Sequence, residues 1–400
     1  MDISRAVKAR SLALGFDLVA IAPVGPSPDW ERYQAWIQRG WAGEMGYLAR
    51  HLQLKRDPRA LLPNARSLIL VALNYAQHLD PALVTDPARG RIAIYALGRD
   101  YHKVMRKALI ELDRWLAAQS GRSSRGRVFV DSAPMLERSW AARAGMGFIG
   151  KNACLIHPRL GSWLFLGGLL VPEALAPDPP PTVVEKAGDL RDSVWRFADG
   201  RMGTCGACTR CLDACPTRAL VAPRQLDARL CISYLTIEQW GAIPMELRSR
   251  IGNWVFGCDL CQEVCPWNHR IRPAAHPALR PHPDRIAPPL LELLALDEAA
   301  FRRRFAGSPV MRAKWEGFMR NVCVAAGNWG SPLAREALLA HVRESSLLVA
   351  EHAAWALTRL RENSGRAALI HVLHRITEPS RRQLIQRALA EAKGTMEDRR

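Results

Sequence analysis

Eight of the ten cysteines fall between positions 205 and 265. They read Cys205, Cys208, Cys211 and Cys215 followed by Pro216, then an isolated Cys231, then Cys258, Cys261 and Cys265 followed by Pro266. Gaps of two, two and three residues before a proline let three thiolates close on one iron–sulfur cubane while the fourth reaches to a neighbouring one. On that spacing a first 4Fe–4S cluster takes Cys205, Cys208, Cys211 and Cys265. A second takes Cys215, Cys231, Cys258 and Cys261, with Cys231 replacing the ligand that the second run lacks. Zinc also binds CxxC pairs, but it does not need this longer spacing. Disulfides do not suit a chain whose N-terminus, Met1-Asp2-Ile3-Ser4-Arg5, has no apolar core after it. Cys154 and Cys323 lie in apolar surroundings and read as buried thiols. Two clusters conduct electrons without choosing a reaction, so the chemistry must come from the rest of the chain.

The stretch before the cysteines alternates helix and strand patterns. Apolar spacing predicts a helix over 3–15 closed by Gly15, a strand over 16–22 stopped by Pro23, and a Trp-rich helix over about 29–38. Unbroken apolar runs predict strands at 66–75 and 163–171, with further strands at 91–95 and 127–130. Between them Gly98-Arg-Asp-Tyr-His102 opens a long helix to Ser120, and another helix starts at Met135. This is an α/β domain over 1–173. In such sheets functional groups gather at strand ends. Asp131, directly after Val128-Phe129-Val130, is therefore a candidate acid; the competing role for it, or for Ser132, is to cap the helix 135–144. The glycine-rich loop from Gly145 to Asn152 carries Lys151 but has neither a phosphate-loop nor a dinucleotide fingerprint. Its glycines suit either a close approach to a large ligand or a tight connection.

Residues 174–200 are Pro-rich and then charged, and read as a surface linker or insertion. The cluster domain follows at 201–270, with 232–238 as a strand-turn candidate facing the redox site. A connector at 271–300 leads to a helical segment over 301–400. That last segment holds 18 Lys and Arg against 9 Asp and Glu. Its pairs 318–329 with 332–342 and 347–357 with 366–376 look related at a period of about 30 residues, as in HEAT-type helical hairpins. The whole chain of 400 residues carries a net charge of +18. This balance calls for a polyanionic partner, nucleic acid first and anionic membrane second, unless it only solubilises the surface. Arg302-Arg303-Arg304 and Arg381-Arg382 are the densest basic clusters. No apolar run reaches the length of a membrane span, so a soluble cytoplasmic protein is expected.

Several motifs together resemble one family. They are Gly98-Arg-Asp-Tyr-His102, Asp131-Ser-Ala-Pro-Met-Leu-Glu-Arg138, Gly147-Phe-Ile-Gly-Lys-Asn152 and Cys258 to Asn268 with its Cys-Gln-Glu-Val-Cys-Pro-Trp-Asn ending. Gly307-Ser-Pro309, Arg320-Asn321 and Gly327-Asn328 add support near the C-terminus. The set resembles the epoxyqueuosine reductases over about residues 5–375. The resemblance implies an α/β cobalamin-binding, reductive-dehalogenase-like domain, a bacterial ferredoxin-type two-cluster domain and C-terminal all-α HEAT-like repeats. It implies reduction of epoxyqueuosine to queuosine at the wobble position of tRNA, with cobalamin and two 4Fe–4S clusters fed by a low-potential electron donor. Asp131 matches the family's proton donor, which needs a desolvated pocket to stay protonated, with Tyr101 and His102 as secondary candidates. By the same resemblance Arg56, Tyr95, Asp131, Lys151, Leu155, Leu166, Ser233 and Glu238 are candidate corrin contacts. Arg302, Arg303, Arg304, Arg320, Arg381 and Arg382 are candidate tRNA contacts. Two other readings compete. A ferredoxin-type electron carrier would not need the α/β domain with Asp131, and a dehalogenase-like enzyme acting on a small molecule would not need the basic helical tail.

Overall fold

The computed structural model describes residues 2–131, 133–185, 193–361 and 364–397. The chain forms two compact units, each assembled from three separate stretches. Unit 1 comprises Met1–His78, Gly98–Arg229 and Asp259–Arg280; unit 2 comprises Leu79–Leu97, Leu230–Cys258 and Pro281–Arg400. The segments expected from composition were contiguous, because composition cannot see a chain that leaves one core and returns to it.

Unit 1 is built on a sheet of strands β1 (Leu18–Pro23), β2 (Ser67–Asn74), β3 (Arg127–Phe129) and β4 (Leu164–Val171), in the order β1-β2-β4-β3. Every neighbouring pair is antiparallel. The α/β reading left direction open, because alternation of strand and helix fixes which elements exist, not how the strands run. All eight residues of β2 are buried, because helices cover both faces. Leu68, Leu70 and Ala72 pack with Trp140 and Ala141 of helix α3 (Glu137–Arg143), with α1 being Ile3–Ala13 and α2 Tyr101–Ser120. Helices α1 and α2 touch each other and pack on β1 and on β3 and β4 respectively. Alternation along a strand sends Ile69, Val71 and Leu73 to the other face, which is why the apolar run is unbroken. Gly168 is required in β4, since a Cβ there would lie 2.6 Å from the Phe129 ring and 2.4 Å from the Ile69 carbonyl oxygen.

The Pro-rich stretch is not a free linker. Leu175 is buried, the Asp178 N–H donates to the Ile21 carbonyl (2.8 Å), and the Asp178 carboxylate accepts from the Ile21 N–H (2.8 Å) and the Lys8 ammonium (2.5 Å). Thr182–Glu185, Val194–Arg196 and Met202–Gly203 then form a three-stranded antiparallel meander. The part of the insertion at 186–192 lies outside the described residues.

Unit 2 is mainly helical, with α4 (Lys314–Trp329), α5 (Arg335–Glu344), α6 (Leu347–Arg359), α7 (Ser364–Arg375) and α8 (Pro379–Glu397). Helix α6 packs against the other four, and its Val349, Ala350, Ala353, Ala354, Ala356 and Leu357 are fully buried. Residues 91–95 do not join the main sheet: Arg91–Ile92 pairs in parallel with Trp254–Phe256 inside unit 2, and Ile94–Ala96 is a 3-10 turn. Residues 232–237 form a helix instead of a strand, with the Thr236 hydroxyl donating back to the Ile232 carbonyl (2.7 Å). Cys323 on α4 is buried as expected, and Cys154 in unit 1 is half-buried.

Candidate active site and cluster cradle

Cys205, Cys208, Cys211 and Cys265 all line one cavity of about 270 Å³ in unit 1. Cys208 and Cys211 come from the turn into the short helix Arg210–Asp213, and Cys265 comes from the end of the helix Leu260–Glu263. The Trp267 indole donates to the Thr204 carbonyl (3.0 Å) and meets the Phe148 ring edge-on at 5.6 Å, holding the two cysteine segments together. Among the described residues no three His, Cys, Asp or Glu side chains are grouped to hold a metal ion. Burial, reinforced by the Cys205 and Cys208 thiols, pushes Cys211 up to about 11. Burial also pushes Cys265 up to about 12. Both stay neutral until iron binds and displaces their protons.

Lys151 belongs to this cradle. It is buried, its ammonium donates to the Gly206 carbonyl (2.6 Å), and its backbone N–H points at the Cys205 Sγ (3.4 Å). The neighbouring glycines leave no space for a ligand: a Cβ on Gly147 would lie 2.4 Å from the Ile156 carbonyl oxygen, and one on Gly150 would lie 2.4 Å from the Ile156 Cδ1. They serve the tight hairpin Phe148–Ile149 with Leu155–Ile156. Of the second ligand set, Cys215 accepts from the Ala219 N–H (3.3 Å) and belongs, with Cys261, to unit 1; Cys231 and Cys258 belong to unit 2.

Asp131 lies just beyond β3, at a φ of 54°. A non-glycine residue rarely adopts this region, and Asp is among those that tolerate it. The Tyr101 hydroxyl, at the start of α2, donates to its Oδ2 at 2.5 Å, and the His102 Nε2 lies 3.8 Å from the same oxygen. Asp100 caps α2 and also holds the His102 Nδ1 (2.8 Å). The Tyr101 ring is stacked on Phe165 of β4 at 3.9 Å. Helix α3 begins only at Glu137, with Leu136 at its cap and no side-chain cap bond, so Asp131 is not a helix cap. Ser132, the alternative cap, lies outside the described residues. The Asp131 side chain is 64% exposed, so the protein alone does not supply the desolvated pocket expected for it.

Two residues of the same motif had been given no role. Glu137 has a buried Oε1 with no hydrogen-bond partner among the described residues. Burial, with the nearby Asp131 adding, pushes its carboxyl up to about 8. The Arg138 guanidinium is reached by solvent and donates to the Ala153 carbonyl (3.0 Å). The signal for both was a charged pair set inside an apolar strand-to-helix connection.

The other expected contacts divide. In unit 1 Arg56 is exposed and Leu166 half-buried, whereas Leu155 is buried within the core beside Trp140. In unit 2 Tyr95 and Ser233 are half-buried, and Glu238 is ion-paired with Arg312 (2.9 Å). Among the arginines, Arg320 is corrected outright. It is 1% exposed and donates to the carbonyls of Leu235 (2.6 Å), Gln239 (2.8 Å) and Gly241 (2.6 Å). Arg381 holds the Val342 (2.6 Å) and Ser345 (2.9 Å) carbonyls at the end of α5, and Arg382 holds those of Leu373 (3.0 Å) and Ile376 (2.9 Å) at the end of α7. Both satisfy helix ends instead of waiting for phosphates. Arg304 donates to the Asp284 carbonyl (3.0 Å). Arg302 and Arg303 remain exposed, Arg302 paired with Glu298 (2.6 Å).

Comparison with known proteins agrees with both halves of this site. The family model described as "4Fe-4S double cluster binding domain" matches residues 204–268, and "Epoxyqueuosine reductase QueG, DUF1730" matches residues 55–132. The epoxyqueuosine reductase of Xanthomonas campestris pv. campestris is 40% identical over 360 residues, covering 88% of this chain and 96% of the relative. The chain belongs to the epoxyqueuosine reductase family. The relative from Escherichia coli K12 is 39% identical over 362 residues, covering 90% of this chain and 89% of its own. A crystal structure of epoxyqueuosine reductase with an epoxyqueuosine-modified tRNA-Tyr stem loop is 28% identical at a TM-score of 0.85, covering 98% of this chain and 99% of that one. Like the family, the protein is an oxidoreductase, and the cysteine domain carries two 4Fe–4S clusters. Among the described residues no helix is long and apolar enough to cross a membrane.

Proposed function

We propose that the protein reduces epoxyqueuosine to queuosine at the wobble position of tRNA, with electrons passed through its two clusters. One observation carries this reading. A single compact unit contains both a four-thiol cavity and an accessible carboxyl held by a tyrosine hydroxyl. A deoxygenation consumes electrons and protons, and these are the two supplies. Cys205, Cys208, Cys211 and Cys265 hold the first cluster, and Cys215, Cys231, Cys258 and Cys261 the second. Cobalamin, when bound, supplies the low-valent metal that breaks the carbon–oxygen bond. Within unit 1 the residues available to hold it are Arg56, Leu166 and Asp131, which remain at least partly accessible. Tyr95, Ser233 and Glu238 of unit 2 stand as further candidates on family resemblance.

Asp131 gives the departing oxygen its proton. Tyr101 occupies Oδ2 as an acceptor, which leaves Oδ1 to carry the proton toward substrate. Since the side chain is largely exposed in the protein alone, water is excluded from it by bound substrate and cofactor. The helices of unit 2 are read as HEAT-like, and Arg302 and Arg303 are their candidate phosphate contacts. The test is anaerobic reconstitution with iron, sulfide and cobalamin, followed by a low-potential reductant and tRNA bearing epoxyqueuosine. Queuosine in the nucleoside digest is expected. Its absence with both clusters intact by absorption would overturn the reading.

A further inference from the structure

Of the chain's 13 tryptophans, Trp240 in unit 2 alone is exposed, at 47%. Its loop is fixed on both sides of it. The buried Arg320 guanidinium donates to the carbonyls of both neighbours, Gln239 (2.8 Å) and Gly241 (2.6 Å). Two positions further on, the Ile243 N–H donates to the His352 Nε2 (3.1 Å), and the Ile243 carbonyl accepts from the Arg248 Nε (2.8 Å). Ile243 is itself fully buried. A loop pinned in this way does not fold over to cover its own ring. Trp240 is displayed in a set position, and the entropy of ordering it has been spent before anything binds.

A cation is aimed at the ring. Lys314, exposed where α4 begins, places its ammonium 4.5 Å from the Trp240 ring centre. Its backbone sits at a φ of 55°, a region that lysine rarely adopts. Glu238, two positions before the tryptophan, has its carboxylate taken by Arg312 through bonds of 3.1 and 2.9 Å. An aromatic face with a cation beside it suits an unpaired base and its phosphate, because every base has a π-face and every phosphate a negative charge. A base inside a duplex is already stacked on both sides and offers no such face.

We propose that Trp240 is a stacking platform for one unpaired base of the tRNA anticodon loop, with Lys314 on the adjoining phosphate. This rests on the tRNA substrate proposed above and adds to it a contact that reads an open loop as well as charge.

Binding of the cluster-loaded full chain to the anticodon stem-loop, measured without turnover, tests it. Trp240→Ala is expected to weaken binding about 5- to 150-fold with cluster absorption unchanged, and to leave the slope of log affinity against log salt where it was, since stacking releases no counterions. Trp240→Phe should recover most of the loss. Lys314→Gln should cost less but lower the slope by about 0.7. A duplex of the same stem without the loop should bind wild type and Trp240→Ala equally. Iodouridine walked through the loop should photocrosslink, from one position, to the wild-type peptide that holds Trp240. Wild-type affinity in Trp240→Ala overturns the proposal. So does an equal loss on the duplex, which would place the contact on the stem. A loop with no crosslink to that peptide from any position overturns it without recourse to a variant. A wild-type chain that sediments as a dimer, with Trp240→Ala a monomer, also overturns it, since a second copy would then cover the ring. A wild type that does not bind the stem-loop at all would instead sink the reading of tRNA as substrate.

Discussion

Asp131 at the end of β3 keeps 64% of its side chain exposed on a backbone of φ 54°, whereas Arg320 on α4 is 1% exposed and spends its guanidinium on three backbone carbonyls. Both are charged residues in motifs that read as functional. The fold of unit 2 explains Arg320: the last turn of the helix 232–237 and the chain just after it present the carbonyls of Leu235, Gln239 and Gly241, and an always-charged planar donor satisfies all three at once. The fold of unit 1 does not explain Asp131. It caps no helix, and its backbone conformation costs about 1–3 kcal/mol. A charged group whose position the fold does not need is the better candidate for chemistry.

Asp131→Asn sharpens the contrast most. Asn also tolerates a positive φ, so clusters and thermal stability should be retained. Turnover should fall about 100- to 10,000-fold, measured as queuosine formed per cluster-loaded protein. A rate near wild type would place the acid elsewhere. Arg320→Ala tests the other side. It strands the buried Leu235 carbonyl and two part-buried ones and should cost about 2–4 kcal/mol, read from the denaturant midpoint at unchanged slope. The salt dependence of tRNA binding by the folded fraction should not move. A stable variant with a shallower salt slope would return Arg320 to the list of phosphate contacts.

Tyr101→Phe has a smaller effect. The ring keeps its stack on Phe165 while Asp131 loses its 2.5 Å bond. A hydrogen bond of this kind corresponds to about 10-fold in kcat, with KM for tRNA unchanged. An equal rise in KM would show that the bond shapes the binding surface instead of aiming the proton.

The same contrast marks how far the sequence could be read. Cysteine spacing assigned the first ligand set, and the structure gathers those four thiols on one cavity, because short gaps constrain geometry locally. The four main strands and the long helices were legible from apolar periodicity. Strand direction was not, since both faces of β2 are buried either way. The cradle contact of Lys151 was not legible, because a glycine-flanked lysine suits a ligand loop as well as a hairpin and its partner Gly206 lies 55 positions away. Arg320 was not legible as a structural residue for the same reason, nor were the helix-end contacts of Arg381 and Arg382. A cluster of basic residues reports charge, while the carbonyls that absorb it lie at helix ends and turns far along the chain.

The smallest expected effect concerns the arginines that stay outside. Arg302 and Arg303 are exposed on the helix Glu298–Arg304, and Arg302 already shares its charge with Glu298. Each replaced by Ala should weaken tRNA binding only a few-fold and reduce the slope of log affinity against log salt by about 1. Arg303→Ala should have the larger effect of the two, because among the described residues no carboxylate is paired with its guanidinium, whereas Arg302 is held by Glu298. Arg304→Ala should leave the slope alone and lower stability instead, since its guanidinium holds the Asp284 carbonyl. If Arg304 moved the slope and Arg303 did not, exposure would no longer separate tRNA-facing arginines from structural ones, and the distinction between Asp131 and Arg320 would lose its general form.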